Sequence, residues 1–275
     1  MRVAIQGYEG SFHHIAANQY FGSDMEILPC DTFRAVATAV KRGEASRGLM
    51  AIENSIAGSI IPNYSILQDE NLQVAGEIYL PIKQNLMVLP DVELEDIEEV
   101  ESHSMALLQC VDYLDEHSWK LVESEDTALS ARHIAERGLR HTAAIASELA
   151  AEIFGLKIVA PEINTIKSNY TRFMVLKRYD HNIDPAANKA SLYFKTDHKE
   201  GSLLRALSRL DDINLSKLQS YPIPSEPWHY LFHIDLEFSC LDDYIRNLNR
   251  LQAVTKEIHV YGVYCSGKES NRRQD

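Results

Sequence analysis

The side chains most able to do chemistry lie in a few short stretches. In SNYTRFMVL, residues 168–176, a hydroxyl, a guanidinium and an aromatic ring stand together as Thr171, Arg172 and Phe173, where a polar turn meets an apolar run. An arginine can hold a carboxylate bidentately, which a lysine does less well; a structural salt bridge and a core aromatic are the plainer readings. In IENSIAGS, residues 52–59, an apolar run ends in Glu53, Asn54 and Ser55. That places polar side chains and free N–H groups at the carboxyl end of a strand, the edge where open α/β sheets bind ligands. Ser102-His103-Ser104 follows the same logic, and an ordinary N-cap cluster explains either stretch equally well. GYEG, residues 7–10, has neither a third glycine nor a Lys-Ser/Thr, so it reads at least as well as a tight turn as a phosphate loop. His13 and His14 are adjacent and diverge by about 100° on a helix, and no H-E-x-x-H or clustered Cys/His spacing occurs. No metal and no cofactor are expected. A serine-hydrolase reading finds no G-x-S-x-G elbow.

The elements that must position these residues come from a chain of 275 residues, 45% hydrophobic, long enough for two domains. Lys+Arg 27 against Asp+Glu 40 gives a net charge of −13, which works against binding phosphate backbones or anionic lipid. Nucleic acid and membrane partners are not expected. MRVAIQG turns polar after a few apolar residues and no segment approaches the ~20 apolar residues that span a bilayer. A cytoplasmic address is the expectation. Cys30, Cys110, Cys240 and Cys265 form no C-x-x-C pair and are too few for a disulfide scaffold, so they read as reduced thiols.

RVAIQG, MEILPC and RGLMAIEN read as strands. Between them lie helices, one capped by Ser11 and ended by Gly22, the next capped by Asp31 or Thr32 and ended by Gly43. Strands joined by helices predict a mostly parallel sheet covered on both faces. The grammar returns after residue 100 with helices over SMALLQCVDYLDEH, DTALSARHIAERG and SELAAEIFG and strands over HTAAIA and LKIVA. GEIYLPIKQNLMVL crosses between these two lobes and NYTRFMVLKR crosses back, which implies a cleft. After a linker, residues 179–189, comes a βαββαβ plait: ASLYFKT, a helix over GSLLRALSRLDD, INLSKLQSYPI running into Pro222 and Pro224, WHYLFHIDL, a helix over LDDYIRNLNRLQAVTKE, and IHVYGVY. Trp228, Tyr230, Phe232, Ile234 and Leu236 alternate, as in a half-buried antiparallel strand.

Several of these stretches, in this order, resemble the catalytic domain of prephenate dehydratase: GYEGSFHHIAANQYFG, AIENSIAGS, EIYLPI, SHSMALLQC, EDTALSA, AAIASELAAEIFGL and NYTRFMVL. EGSLLRALSRLDDINLSKLQSYPIPSEPWHYLFHIDLE resembles that family's C-terminal ACT regulatory domain. The resemblance implies an α/β fold with a two-lobe, periplasmic-binding-protein-like catalytic domain over residues 1–178, lobe one about 1–80 and 162–178 and lobe two about 81–161. A ferredoxin-like ACT domain follows over residues 190–275.

It further implies a cofactor-free conversion of prephenate to phenylpyruvate, water and CO2, with Thr171, Arg172 and Phe173 in the active site. Thr171 would hydrogen-bond the leaving hydroxyl, Arg172 would hold a carboxylate and Phe173 would line or support the pocket. Ser11, Glu53, Asn54, Ser55, Gly58, Ser102 and His103 are carried over as pocket residues, with Glu53 expected to be paired or to orient its neighbours. Gly201, Ser202, Leu203, Asn214, Leu215, Gln219 and Ser220 are carried over as a site for phenylalanine, in a homodimer or homotetramer. The chain departs from the family's usual pattern at Tyr8, Ser11, His13, Gln84, Ser104 and Met105, and in Gln219-Ser220-Tyr221-Pro222, which has lost both charges of the ACT signature. An arogenate dehydratase, or a non-catalytic two-lobe binding module with an ACT sensor, is the alternative.

Overall fold

The computed structural model describes residues 1–210, 212–223 and 225–267. The chain runs β1 (Arg2–Gln6), α1 (Phe12–Phe21), β2 (Glu26–Cys30), α2 (Phe33–Arg42), β3 (Arg47–Asn54), β4 (Gly58–Ser59), α3 (Ile61–Glu70), β5 (Leu72–Pro81) and β6 (Asn85–Val88). It continues through β7 (Glu99–His103), α4 (Ser104–Gln109), α5 (Val111–Asp115), β8 (Lys120–Ser124), α6 (Thr127–Arg137), β9 (Thr142–Ala146), α7 (Glu148–Phe154), β10 (Lys157–Ala160) and β11 (Tyr170–Arg178). The last module is β12 (Lys189–Lys195), α8 (Ser202–Leu207), β13 (Asn214–Pro222), β14 (Tyr230–Glu237), α9 (Leu241–Gln252) and β15 (Glu257–Tyr264). Contacts divide it into two units, Met1–Gly58 with Tyr79–Phe173, and Ser59–Ile78 with Met174–Asp275.

One sheet is ordered β2-β1-β3-β11-β5 with β4 beside β3, and a second β10-β6-β9-β7-β8. β1 is parallel to both its neighbours, and β7 to both of its own. Helices cover both faces of the second sheet, so β9 is buried throughout: Ala143 and Ile145 pack toward α4 and α5, Ala144 and Ala146 toward α6 and α7. Two stretches join these lobes side by side. Ile82 N–H donates to the Asn169 carbonyl, Ile163 N–H to the Gln84 carbonyl and Gln84 N–H to Asn164 Oδ1, each at 2.8 Å.

The helix expected over SMALLQCVDYLDEH breaks at Cys110, whose ψ of 17° is not helical. Thr165, in the returning crossover, inserts into the hydrogen-bond ladder there. Its N–H donates to the Gln109 carbonyl and its hydroxyl accepts from Asp112 N–H.

The second unit contains an antiparallel sheet, β13-β14-β12-β15, in βαββαβ connection as expected. Leu192, Phe194, Ile234 and Leu236 pack beneath α8 and α9 with Ala206 and Leu251. The other face is not solvated, contrary to the half-buried strand read from WHYLFHIDL: Leu231, His233 and Asp235 of β14 are buried as well. The segment 59–78 covers them. Tyr64 of α3 packs on His233 at 4.3 Å, the Ser65 and Tyr221 hydroxyls meet at 2.6 Å, and Lys217 Nζ donates to Ser59 Oγ. Trp228 lies outside the strand, at positive φ and 80% exposed.

Neither α3 nor strands β7 and β8 were anticipated; α3 has almost no one-sided apolar pattern and carries Pro62 in its first turn. The helix expected over GSLLRALSRLDD is only Ser202–Leu207, tightening into i→i+3 turns at Arg209 and Leu210. Asp211, Pro224 and residues 268–275 of the expected elements lie outside the described residues. No described helix is long and apolar enough to cross a membrane.

Candidate active site

At the carboxyl edge of the first sheet, β3 ends where β11 begins. Ser55 N–H donates to the Tyr170 carbonyl, and Tyr170 N–H donates back to Ser55 Oγ. Asn54 is the hub. Its Oδ1 accepts from Ile56 and Ala57 N–H, closing the turn after the strand, while Nδ2 donates to Asn169 Oδ1, to the Tyr170 carbonyl and to Thr171 Oγ1 at 3.0 Å. Each amide atom is committed to the protein, and one of these bonds holds Thr171. Thr171 accepts this bond, and its own O–H proton has no partner among the described residues.

Arg172, one residue on, has a side chain 3% exposed, with its guanidinium 3.6 Å from Glu53 Oε2 and above the Tyr79 ring. Glu53 is the open member of the pair, its side chain 34% exposed. Ser55 faces solvent, and Gly58, at φ 80°, begins β4 beyond the turn.

Two residues read as site members are turned elsewhere. Phe173 is buried and stacks edge-on with His13 at 4.9 Å, so it supports the site from the core. Burial holds His13 neutral, its pKa lowered to about 3. Ser102 is fully buried and spends its hydroxyl on the Ile145 carbonyl at 2.7 Å, bracing β7 against β9. Alternation along a strand cannot foresee either, because both faces of these sheets are covered.

Ser11 caps α1 by accepting from His14 N–H. The two lobes meet at this turn: Ser147 Oγ donates to the Gly10 carbonyl, and Arg132 lies over the Tyr8 ring. Gly7 and Gly10 have positive φ, and a Cβ at Gly10 would strike the Ala150 backbone. His103 caps α4, its Nδ1 accepting from Met105 N–H. Asp126 opens the helix read over DTALSARHIAERG and is not among the expected site residues, yet its carboxyl reaches across to Gly7: a Cβ there would lie 2.9 Å from Asp126 Oδ2 and 3.6 Å from Ser11 Oγ. Desolvation raises the Asp126 pKa, against the opposing effects of two capped N–H groups and of His103.

None of the Ser11, Ser55, Ser102 or Thr171 hydroxyls bonds a histidine ring, among the described residues, and no His/Cys/Asp/Glu cluster there could hold a metal. The arrangement can grip an anion at Arg172, present a hydroxyl proton at Thr171 and bring a carboxyl from the facing lobe.

The family model for prephenate dehydratase matches residues 3–181. An Arabidopsis thaliana relative, arogenate dehydratase/prephenate dehydratase 2, chloroplastic, is 36% identical across 96% of this chain and 72% of its own length. A prephenate dehydratase from Arthrobacter aurescens, solved with L-Phe, superposes with TM-score 0.88 at 27% identity, over 98% of this chain and 91% of its own. The structure titled GqqA, a novel type of quorum quenching acylases, also gives TM-score 0.88, at 28% identity over 97% of this chain and 98% of that one.

Proposed function

The chain belongs to the prephenate dehydratase family, and from that premise we propose that it converts prephenate to phenylpyruvate, with loss of water and CO2, in L-phenylalanine biosynthesis. The observation that carries this reading is the bond from Asn54 Nδ2 to Thr171 Oγ1. It fills an acceptor site of the hydroxyl and leaves the O–H free to donate to a leaving oxygen, one residue along the strand from a guanidinium suited to a carboxylate. The substrate is a dianion whose ring is one elimination from aromaticity, so grip and orientation supply much of what is needed. Glu53 orients Arg172. N–H groups at helix N-termini supply further anion binding without net positive charge, which lets a chain of net charge −13 receive a dianion.

The test is turnover. Pure protein without added metal, given prephenate, is expected to yield phenylpyruvate; given arogenate, any phenylalanine formed reports breadth toward the amino analogue. No product from either overturns the reading.

We read the βαββαβ module in the same way, as the ACT domain binding phenylalanine as feedback effector. Support comes from its topology and from the L-Phe complex of the Arthrobacter relative. Gly201, Ser202 and Leu203 follow the end of β12, whereas Asn214 pairs with Glu237, which pairs with Lys189 at the start of β12. About 20 Å of strand separates those ends. Leu203 and Leu215 also pack on the module's own core. One chain therefore cannot close all seven residues around one amino acid, and a second copy completes the site, in a homodimer or homotetramer. The four free thiols suit a cytoplasmic, reducing compartment.

A further inference from the structure

The proposed reaction needs a proton that Thr171 cannot release, because an aliphatic hydroxyl is far too weak an acid at neutral pH. Glu53 is spent on Arg172. His13, the histidine nearest Phe173, is neutral and walled in by Phe33 and Phe173. A different group faces the site from the other lobe. Asp126 stands at the carboxyl end of β8, next to the His103 end of β7, since His103 and Ser124 are register partners. One carboxylate oxygen, Oδ1, is fixed by Ala128 and Leu129 N–H at 2.8 and 3.0 Å. The other, Oδ2, has no hydrogen bond among the described residues and is aimed at the Gly7–Ser11 turn.

That turn lies on the edge where Thr171 sits: β1 is followed in the sheet by β3 and then β11, whose ends carry Gly7, Asn54 and Thr171 in turn. Two strand spacings put the backbones about 10 Å apart, so side chains from the two ends can converge on one small substrate. Gly7 is constrained twice, by its φ of 89° and by the carboxyl occupying the space of a side chain.

We propose that Asp126 is the proton donor of the reaction, delivering its proton from Oδ2 to the departing hydroxyl. The bond from the ring to its carboxylate breaks and CO2 leaves. That electron pair aromatises the ring and expels the hydroxyl, which takes the Asp126 proton and departs as water. Solvent then reprotonates Asp126. The groups facing it are His103 from β7, the Ser11 hydroxyl and Gly7 backbone from the first lobe, and Ser130 on its own helix, whose hydroxyl bonds the Asp126 carbonyl. A bound dianion favours the protonated carboxyl further, in the same direction as its desolvation.

This rests on the dehydratase reading, and the experiment separates the two. Asp126→Asn and Asp126→Ser both keep a helix-capping acceptor but carry no proton acidic enough to release. Using whichever of prephenate and arogenate the wild type turns over, each variant is expected to lose about 10²–10³-fold in kcat with KM within a few-fold. The wild-type decline in kcat as pH rises above the ordinary carboxylate range should vanish in both, and Asp126→Glu should recover part of the rate. Wild-type turnover with either variant within threefold of it, or with its pH profile unchanged, overturns the assignment of Asp126 alone. Absence of turnover in the wild type removes the dehydratase reading, and this assignment with it.

Discussion

Two cation–carboxylate pairs, one in each unit, are built to opposite specifications. Lys189 and Glu77 are sealed, their side chains 1% and 0% exposed, with Nζ donating to both Glu77 oxygens at 2.9 and 3.1 Å. Gly267 N–H adds a further bond to Glu77, and Asp235 and Glu237 stand near the ammonium. Arg172 and Glu53 are half open: the guanidinium is buried, the carboxylate looks outward, and the separation is 3.6 Å. The sealed pair has its charge neutralised inside the protein and has nothing left to offer a ligand. The other pair keeps its cation buried and turns its carboxylate toward solvent at the strand edge.

The contrast can be broken by experiment. Lys189→Met should leave Glu77 as an uncompensated buried carboxylate and cost about 3–5 kcal/mol of folding stability, measurable by urea unfolding of the second unit. Arg172→Lys keeps the charge but not the planar fork, so it should lower kcat/KM about 10²–10³-fold, equivalent to about 3–4 kcal/mol, while moving the unfolding midpoint far less than Lys189→Met. Unfolding of the arginine variant, or full stability of the methionine variant, would erase the distinction between the pairs.

A smaller effect comes from two neutral histidines, His13 and His233, each lowered to about 3 chiefly by burial. The unfolded chain protonates a histidine near 6.5 while the folded state refuses the proton, so stability falls as pH drops from about 6.5 toward 3, by about 1.4 kcal/mol per pH unit per histidine. His233→Gln should therefore lose about 2 kcal/mol less than the wild type between pH 7 and pH 5 in parallel urea titrations. An equal loss would mean that His233 does not drive this acid sensitivity.

Much of this was legible because it is local. Ser11, Thr32, Asp126 and Ser147 cap their helices by bonds spanning two or three residues, and Gly22, Gly43, Gly138 and Gly155 end theirs with positive φ. The βαββαβ order and the run ending at Asn54 follow from the same short-range rules. What failed was whatever depended on a distant partner. The break at Cys110 needs Thr165; the burial of His233 and Asp235 needs the segment 59–78; the inward turn of Ser102 needs the Ile145 carbonyl.

The candidate site divides along the same line. Residue types and order determined that a hydroxyl and a guanidinium would follow one another at the start of β11, on opposite faces of the strand. Only the tertiary structure decided which atoms remain available: Asn54, 117 positions away, fills one side of Thr171, Glu53 sets the guanidinium of Arg172, and Asp126 arrives at Gly7 from another sheet. The physical reason is that a hydrogen bond or a desolvated charge is a property of its surroundings, and where two sheets meet those surroundings come from parts of the chain far apart in sequence.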